Sequence, residues 1–267
     1  MVLILSILVI LILFFGLIEF KVHQKSLSKI PIRIHVNGSR GKSSVVRLIA
    51  AGLRSGGIKT VAKTTGTSPR IIDEFGKDKY IHRLRSASIG EQISLIRKFS
   101  KIKPDALVIE CMAVNPQYQW ISEHKIVKST IGVMTNVRPD HLDEMGISID
   151  QITKSMGNTI PFNGTLVTAE DKQLSLLESI TKGRNSKFYS TVEDNIDNDN
   201  ISDFEYLEHK ENISLAVKVC QLCGVEKDVA LKGMSRCTPD PGALTMWKIN
   251  FKNNNFEFIN AFAANDP

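Results

Sequence analysis

Residues 38–44 (GSRGKSS) bring two glycines, one lysine and three serines together in a short stretch of chain. Glycines allow main-chain N–H groups to turn toward phosphate oxygens, lysine neutralises those oxygens, and a serine hydroxyl can bind Mg²⁺. The stretch therefore predicts a phosphate-binding loop for a nucleotide. It departs from the general pattern G-x-x-x-x-G-K-[ST], because Val36 stands where the first glycine would be. A strand-to-helix turn with an incidental lysine is the alternative.

Two other places carry side chains that could serve the same chemistry. Glu110 ends a continuous apolar run over residues 106–109, and residues 140–143 (DHLD) place His141 between two carboxylates. Ligands of open α/β sheets bind beyond the carboxyl ends of the strands, so Glu110 is a candidate ligand of a nucleotide-bound metal. The 140–143 sequence is also good turn chemistry, and Mg²⁺ prefers oxygen ligands to histidine.

The elements around these residues have the order of an α/β domain. Residues 32–36 alternate as a strand does, residues 45–57 have helical spacing that ends at two glycines, and residues 58–62 form a second short strand. A helix is predicted over 89–99, and buried strands over 106–109, 129–137 and 164–169. Alternating strands and helices favour a mostly parallel sheet. Residues 192–200 are predicted as a surface loop, 211–223 as a helix and 247–259 as a hairpin.

Composition sets the broad class. Of the 267 residues, 42% are hydrophobic and 23% are charged, which excludes wholesale disorder. The net charge of +6 is mild for this length and does not indicate a nucleic-acid partner. Four cysteines are too few for a disulfide scaffold and fit a reducing compartment. The Cys220–Cys223 pair is expected to consist of two small buried side chains rather than a zinc or redox site.

Residues 2–18 form an uncharged apolar run that predicts one transmembrane helix, and residues 1–20 are assigned to a membrane anchor. A signal peptide and a buried core helix are the alternatives; the run has neither a basic leader nor an A-x-A cleavage pattern. Basic residues follow the run: Lys21, His23, Lys25, Lys29 and Arg33. The positive-inside rule then predicts a single-pass protein of the cell membrane with its catalytic part in the cytoplasm.

Several separate motifs resemble one superfamily. Residues 36–44 (VNGSRGKSS), 108–110 (VIE) and 135–143 (TNVRPDHLD) resemble the loop, acidic strand end and T-N-x-x-x-D-H-L-D segment of Mur ligases and folylpolyglutamate synthases. Residues 63–68, 88–92, 110–116 and 239–242, together with the anchor, resemble the ATP-dependent B subunits of bacterial poly-γ-glutamate (capsule) synthases. The implied fold is a P-loop-containing Mur-ligase-like central domain over residues 30–259, preceded by the transmembrane helix.

The resemblance implies an ATP-dependent amide ligase that adds glutamate through γ-linkages by way of an acyl phosphate. It implies catalytic roles for Lys42, Glu110 and His141, and Mg²⁺ ligation by Ser43, Glu110 and His141. The expected ATP-binding residues are Gly38, Ser39, Arg40, Gly41, Lys42, Ser43, Ser44, Thr64 and Thr65. The implied partners are the glutamate chain, the membrane and other membrane subunits of a capsule synthase, with no nucleic acid.

The sequence departs from the ligases that it resembles at a lysine, an asparagine and a C-terminal domain. The lysine that related ligases carbamylate falls at Met156, with Lys154 out of register, so no carbamate is expected. Asn212 loosely resembles an adenine-contacting asparagine, but we interpret it as an ordinary residue at a helix start. Residues 260–267 resemble a junction to a C-terminal domain that the sequence does not contain. We therefore expect weak Mg-ATP binding and no complete synthesis by this chain alone.

Three functions are alternatives to a γ-glutamyl ligase. A folylpolyglutamate-synthase-like ligase would have no evident need for a membrane anchor, because its substrate is a soluble cofactor. A GTPase-like regulator is suggested by residues 143–146 (DEMG), but the sequence has no N-K-x-D segment to read guanine. A membrane-anchored P-loop adaptor without ligase activity remains the alternative from a different class.

Overall fold

The computed structural model describes residues 2–66, 68–83, 88–194, 208–240, 245–251 and 254–260. Its helices are α1 Val2–Leu27, α2 Lys42–Ser55, α3 Gly90–Ile102, α4 Pro116–Ile121, α5 Leu142–Met145, α6 Ile149–Met156, α7 Leu174–Gly183, α8 Lys210–Leu222 and α9 Lys227–Met234. Its strands are β1 Ile32–Asn37, β2 Thr60–Thr64, β3 Arg70–Ile72, β4 Asp78–Tyr80, β5 Ala106–Glu110, β6 Ile131–Met134, β7 Thr165–Thr168, β8 Lys187–Ser190, β9 Thr245–Phe251 and β10 Asn254–Asn260. A π-helical turn, Ser122–Val127, continues α4.

Eight strands form one sheet in the order β4-β3-β2-β5-β1-β6-β7-β8. The six strands from β2 to β8 pair in parallel, and only β3 and β4 at one edge are antiparallel. This confirms the predicted α/β fold with a mostly parallel sheet. From β1 the chain crosses to β2 on one side, while β6 lies on the other side of β1. Such a reversal opens a crevice at the carboxyl ends of β1, β5 and β6, where ligands bind in open sheets.

Apolar layers cover both faces of the sheet. On one face, α2 packs with α8 and α9 over a core that includes Ile34, Val108 and Val133. On the other face, α3 and the π-helical turn pack over Leu107 and Ile109. Alternate residues of β1 and β5 therefore point into different layers, as the period of a strand requires. Burial on both faces explains why these strands are almost uninterrupted apolar runs.

Helix α1 differs from every other described helix. It is 26 residues long, its most apolar window has a mean hydropathy of 3.0, and none of that window is buried. The helix is thus long and apolar enough to cross a membrane. Its last turns instead contact the domain: Leu27 is buried, and His23 Nε2 lies 2.8 Å from the carbonyl oxygen of Ile126. Only the end of α1 is part of the domain core.

Several predicted boundaries differ from the observed ones. Strand β2 spans Thr60–Thr64 rather than residues 58–62, because the residues after Gly57 (φ +81°) first complete a turn in which Ile58 N–H bonds to the Leu53 carbonyl. Strand β6 covers only the middle of the predicted 129–137 strand, since residues 135–138 leave the sheet to contact the loop after β1. Helix α8 matches its prediction within one residue, and β9 pairs with β10 as the predicted hairpin.

Two predictions fall on parts of the chain that the structure does not describe. Most of the predicted 192–200 loop and nearly all of the 260–267 segment lie outside the described residues. The boundaries proposed for the anchor, the central domain and the junction remain predictions.

Candidate functional site

The loop between β1 and α2 has the backbone of a phosphate-binding turn. Gly38 and Gly41 adopt φ angles of +136° and +80°, which L-residues with side chains rarely tolerate. Gly41 is the N-cap of α2 and provides no side-chain hydrogen bond, so no side chain caps the first N–H groups of the 14-residue helix. Those donors and the positive end of the helix dipole face the carboxyl edge of the sheet.

Lys42 is folded over this loop. Its ammonium nitrogen donates to the carbonyl oxygens of Gly38 and Ser39 at 2.6 and 3.1 Å. The lysine is therefore held at the centre of the turn, with its charge beside the uncapped N–H groups of α2. This is the position predicted for the cation that contacts nucleotide phosphates.

The segment after β6 fixes the shape of the loop. Thr135 Oγ1 and Asn136 Nδ2 donate to the Arg40 carbonyl at 2.6 and 3.1 Å, and Arg40 N–H donates to Asn136 Oδ1. Ser39 Oγ exchanges hydrogen bonds with the backbone of Arg138. A Cβ atom on Gly38 would lie 2.0 Å from Thr135 Oγ1, so this position accepts only glycine. Ser39 thus stabilises the backbone conformation of the loop through its hydrogen bonds with Arg138.

Glu110 meets the loop from the end of β5. Its Oε2 accepts from Ser43 Oγ at 2.7 Å and from the backbone N–H of Thr65 at 2.6 Å. The carboxylate is 3% exposed and joins three elements, α2, β2 and β5. The register explains this meeting, since Glu110 lies beside Val36 in the parallel pairing of β5 with β1. Glu110 and Ser43 were both predicted at this site.

The two threonines at the end of β2 occupy different environments. Thr65 lines the cleft beside Glu110, as does Gly66. Thr64 is fully buried, its hydroxyl has no recorded hydrogen-bond partner, and it is not among the residues that line the cleft. Because β2 ends two residues later than predicted, Thr64 points into the protein. The contact predicted between Thr64 and the nucleotide is not supported by this placement.

A cleft of about 300 Å³ opens in front of the loop. Its lining brings together Lys42, Glu110 and His141 from three separate segments. His141 adopts a left-handed conformation (φ +45°) before α5, is half-exposed, and lies 3.7 Å from Asp140 Oδ1. Asp140 in turn pairs with Arg40 at 2.7 Å. The tertiary structure thus unites the predicted catalytic residues, although they are about 30 to 100 residues apart in sequence.

The cleft contains a cation that sequence reasoning missed. Arg83 lines it, and the guanidinium group donates to both carboxylate oxygens of Glu91 at 2.7 and 3.1 Å. Beneath them, the Lys63 ammonium is fully buried and lies 3.4 Å from Glu91 Oε1. Burial lowers the pKa of Lys63, although Glu91 and Glu110 oppose that change. Lys63 begins the 63–68 motif but was given no role there, and Arg83 lies in no motif, so only their meeting with Glu91 in the folded chain identifies them.

The comparisons with known proteins agree with this geometry. The Mur ligase middle domain family matches residues 36–234, which include the loop, the residues that line the cleft and all of the large sheet except the start of β1. The chain belongs to this family. It is also 37% identical, over its whole length, to the capsule biosynthesis protein CapB of Bacillus anthracis. Over 96% of its length it is 39% identical to the PGA synthase CapB of Bacillus subtilis.

The Mur ligase domain has the fold of known ligase structures. The structure named FPGS–AMPPCP complex superposes with a TM-score of 0.63 at 17% identity, covering 85% of this chain and 68% of that chain. The chain spans 58% and 65% of the lengths of the two CapB relatives.

In this Mur ligase domain, Asn212 lies directly against the phosphate loop. A Cβ atom on Gly41 would lie 2.8 Å from Asn212 Oδ1, and Asn212 Nδ2 donates to Glu208 Oε1 at 2.7 Å. Burial raises the pKa of Glu208, which also accepts from the Ser44 side chain. The interpretation of Asn212 as an ordinary helix residue therefore missed a contact between α8 and the loop. Only the packing of α8 on α2 could reveal it.

The donors near the loop suit a hard cation. Ser43 and Glu110 present oxygen atoms, which Mg²⁺ prefers, and both lie beside the phosphate loop. Within the described ranges, no group of three or more His, Cys, Asp or Glu side chains could hold a metal by itself. Phosphate oxygens would have to supply other ligands, as is usual for Mg²⁺. These two residues fit a nucleotide-bound magnesium ion.

The position of the family's carbamylated lysine has no lysine in this Mur ligase domain. Met156 is buried and lines the cleft, whereas Lys154 is exposed on α6. The expectation that no carbamate forms there stays a prediction. Cys220 is fully buried, burial raises its pKa, and burial raises the pKa of Cys223 to about 11. The predicted burial is confirmed for Cys220, whereas Cys223 is only partly buried and packs against the core.

Proposed function

We propose that this chain is the nucleotide-binding part of an ATP-dependent amide ligase that extends γ-linked glutamate chains. One observation carries the proposal: Glu110 at the end of β5 hydrogen-bonds the first serine after the loop lysine, Ser43. A cation-binding carboxylate is thereby fastened to a phosphate-binding turn. The Mur ligase family match, the two CapB relatives and a structural neighbour complexed with AMPPCP support ATP and a glutamyl substrate.

The reaction requires two anions to meet. A substrate carboxylate attacks the γ-phosphorus of ATP, ADP leaves, an amine attacks the resulting acyl phosphate, and inorganic phosphate leaves as the amide forms. Carboxylate and triphosphate repel each other, so the site must supply positive charge in fixed positions. Lys42, the N-terminus of α2 and Arg83 surround the cleft and meet that need.

Each group has a distinct part in this proposal. Lys42 and the first N–H groups of α2 hold the β- and γ-phosphates. Ser43 and Glu110 hold Mg²⁺, and His141, which lines the same cleft, is proposed as a ligand of a second Mg²⁺. Mg²⁺ bound there supplies charge neutralisation for the phosphate oxygens. Arg83, held by both oxygens of Glu91, has a fixed orientation toward the substrate carboxylate.

The apolar helix supports a membrane location for this activity. We infer that the exposed half of α1 spans the cell membrane once and that the basic residues after it keep the domain in the cytoplasm, where ATP is available. A product that must leave the cell gives an anchored ligase a physical advantage over a soluble one. Other membrane subunits of a capsule synthase are the proposed partners, because both curated relatives are named for capsule or PGA synthesis.

The proposal can be tested by nucleotide binding and ADP release. The detergent-solubilised chain should bind a fluorescent ATP analogue with Mg²⁺, and Lys42→Ala should weaken that binding by about tenfold or more. Lys77→Ala is the matched control, because Lys77 is an exposed lysine on the β3–β4 turn. Glutamate and a γ-glutamyl primer should stimulate ADP release when the chain is fused to the part of a CapB relative that it does not span.

Two results would contradict the proposal. Equal affinity for ATP and GTP would favour a switch protein over a ligase. ADP release that glutamate leaves unchanged in the fused protein would argue against a ligase, even if ATP binds.

A further inference from the structure

A second cleft lies outside the catalytic one, between α2, α9 and the β3–β4 turn. Its volume is about 390 Å³. Four basic side chains line it: Arg47, Arg54, Lys232 and Arg236. The acidic residues of the lining are Glu74 and Asp78, so the cleft carries a positive excess. None of these four basic residues lies in a sequence motif or lines the catalytic cleft.

Arg54 is the most informative of them. Its guanidinium group packs beneath the β3–β4 turn, where a Cβ atom on Gly76 would lie 3.5 Å from Nε. Its recorded hydrogen bond is a long one, 3.4 Å to the Thr60 carbonyl. Burial lowers the pKa of Arg54, with neighbouring acidic groups opposing that change. A guanidinium has five donors, so most of the hydrogen-bonding capacity of this buried cation is available to a ligand.

The carboxylates nearest to Arg54 are already engaged. Asp73 accepts from the N–H groups of Phe75 and Lys77 and pairs with Lys79 at 3.0 Å. Asp78 accepts from both terminal nitrogens of Arg47, at 3.1 and 2.7 Å. Neither has a recorded hydrogen bond to Arg54. Among the described residues Arg54 therefore forms no salt bridge, and an anion in the cleft would supply one.

The cleft connects with the catalytic site along α2. Arg47 and Arg54 are seven residues apart, which places them on the same helix face. From Ser43 to Arg54 the helix rises about 16 Å. Arg47 also lies 3.5 Å from Asp240, whose carboxylate is 3.7 Å from the position of a Cβ on Gly66 in the catalytic cleft. Arg47 is 3% exposed and paired with Asp78 and Asp240, so it forms part of the wall between the two clefts, and Arg54 is the first arginine of α2 that is open to a ligand.

We propose that this second cleft binds the γ-linked glutamyl chain, with Arg54 as its central carboxylate ligand. The inference rests on the proposed function, which supplies a polyanionic product. A γ-glutamyl chain repeats one carboxylate per residue, and the cleft offers Arg54, Lys232 and Arg236 as separate cations for such carboxylates. Arg54, partly enclosed, binds one carboxylate through two parallel N–H bonds, while Lys232 and Arg236 neutralise the neighbouring ones at the surface. The cleft thus retains the growing chain between additions.

The test is the affinity of the intact chain, in detergent, for a fluorescein-labelled γ-linked glutamyl oligomer. We expect Arg54→Gln to weaken binding by about tenfold, and Lys232→Gln and Arg236→Gln by about threefold each. The affinity for a fluorescent ATP analogue should stay unchanged in all three variants, because none of them contacts the phosphate loop. Lys182→Gln is the matched control for Lys232→Gln, since it removes an exposed lysine on α7, far from the cleft in the sheet order.

The outcomes separate this inference from the function on which it rests. Wild-type affinity for the oligomer in Lys232→Gln and Arg236→Gln would overturn the inference, even if Arg54→Gln failed to fold. Loss of affinity in Lys182→Gln to the same degree would also overturn it, because binding would then follow net charge alone. If the cleft variants lose the oligomer but the wild type binds no ATP, the proposed function fails while the polyanion site stands.

Discussion

At the scale of single residues, the site depends on one carboxylate. Glu110 is nearly buried, yet both of its recorded partners are donors from the nucleotide side of the sheet, Ser43 and the backbone of Thr65. We propose that this buried carboxylate exchanges its contact with the Ser43 hydroxyl for a cation that both side chains bind. The proposed role of Glu110 in cation binding can therefore be tested by a substitution that removes its charge and keeps its hydrogen bonds.

Glu110→Gln should abolish the Mg²⁺ dependence of nucleotide binding. The amide oxygen still accepts from Ser43 and Thr65, so the unfolding temperature should change little. Loss of the charged ligand should lower the affinity measured with Mg²⁺ by about 10–100-fold, to the level measured without it. Fluorescence titration with an ATP analogue, with and without Mg²⁺, checks this. Glu178→Gln, an exposed carboxylate on α7, is the control.

A second residue-scale feature lies beneath the loop, on β1. His35 is fully buried, and its Nδ1 is 2.8 Å from Glu123 Oε2. Burial alone would lower the pKa of His35, but the neighbouring Cys111 and Glu123 side chains, of which Glu123 hydrogen-bonds the ring, outweigh it and raise the pKa to about 9. Ser129 donates to the other oxygen of Glu123, which fixes the carboxylate in place. The pair links β1 to the π-helical turn.

This raised pKa predicts a pH dependence of stability. Because protonated His35 is favoured in the folded state, its contribution is complete below pH 6.5 and is lost as pH rises through about 9. The free energy of unfolding should fall by about 1–3 kcal/mol over that window, and His35→Gln should flatten the slope. Urea unfolding at several pH values measures it. An equal slope in wild type and His35→Gln would refute the assignment, and His82→Gln, an exposed histidine, should keep the wild-type slope.

At the scale of elements, the joint between β1 and α2 is the most constrained part of the fold. The loop is tied to the segment after β6 on one side and to α8 on the other. Its two glycines, Gly38 and Gly41, have positive φ angles. Thr135 and Asn212 lie against them, so neither position has space for a side chain. The joint therefore couples nucleotide binding to the packing of strands that are distant in sequence.

Gly38→Ala should disrupt this joint. The new methyl would collide with Thr135 Oγ1, and alanine is strained at a φ of +136°. We expect a loss of about 2–4 kcal/mol in stability together with loss of ATP binding. Gly183→Ala is the control, because nothing lies within 4 Å of its Cβ position and it has no positive φ. Denaturant unfolding of both variants tests this; equal stabilities would contradict it.

At the scale of the whole molecule, α1 is one continuous helix with two environments. Its apolar half contacts no core residue, whereas Leu27 and the following Ile30 belong to the cluster beneath α3. Lys128 connects the two parts, donating to Gln24 and lying 5.9 Å from the ring of Phe20. The helix thus passes directly from its exposed apolar half into the domain, with no recorded break between them.

Deletion of residues 2–18 should release the chain from membranes without unfolding the domain. The removed side chains are exposed, so the domain loses no core contacts. A deletion through residue 30 should lower stability by several kcal/mol, about 2–5, because it removes Leu27 and Ile30. Fractionation of cell extracts and thermal unfolding check both deletions. A shorter variant that stays in the membrane pellet would contradict the role of α1 as the anchor.

The sequence by itself determined much of this protein. Local patterns predicted the parallel α/β sheet, the apolar anchor helix and the loop at residues 38–44, because strand alternation, helical spacing and glycine placement are properties of neighbouring residues. The resemblance of separate motifs added Glu110 and His141 to the same site, and the cleft unites them with Lys42.

The tertiary structure alone decided what depends on contacts between distant segments. It buried Thr64 by ending β2 two residues later than predicted, and it brought Asn212 onto the loop through the packing of α8. It placed Arg83 over the buried Lys63, and within the described part of the chain it gave Arg54 beside α2 no salt bridge to a carboxylate. Burial, register and charge compensation are set by strands and helices that meet only in the folded chain, so no local pattern reports them.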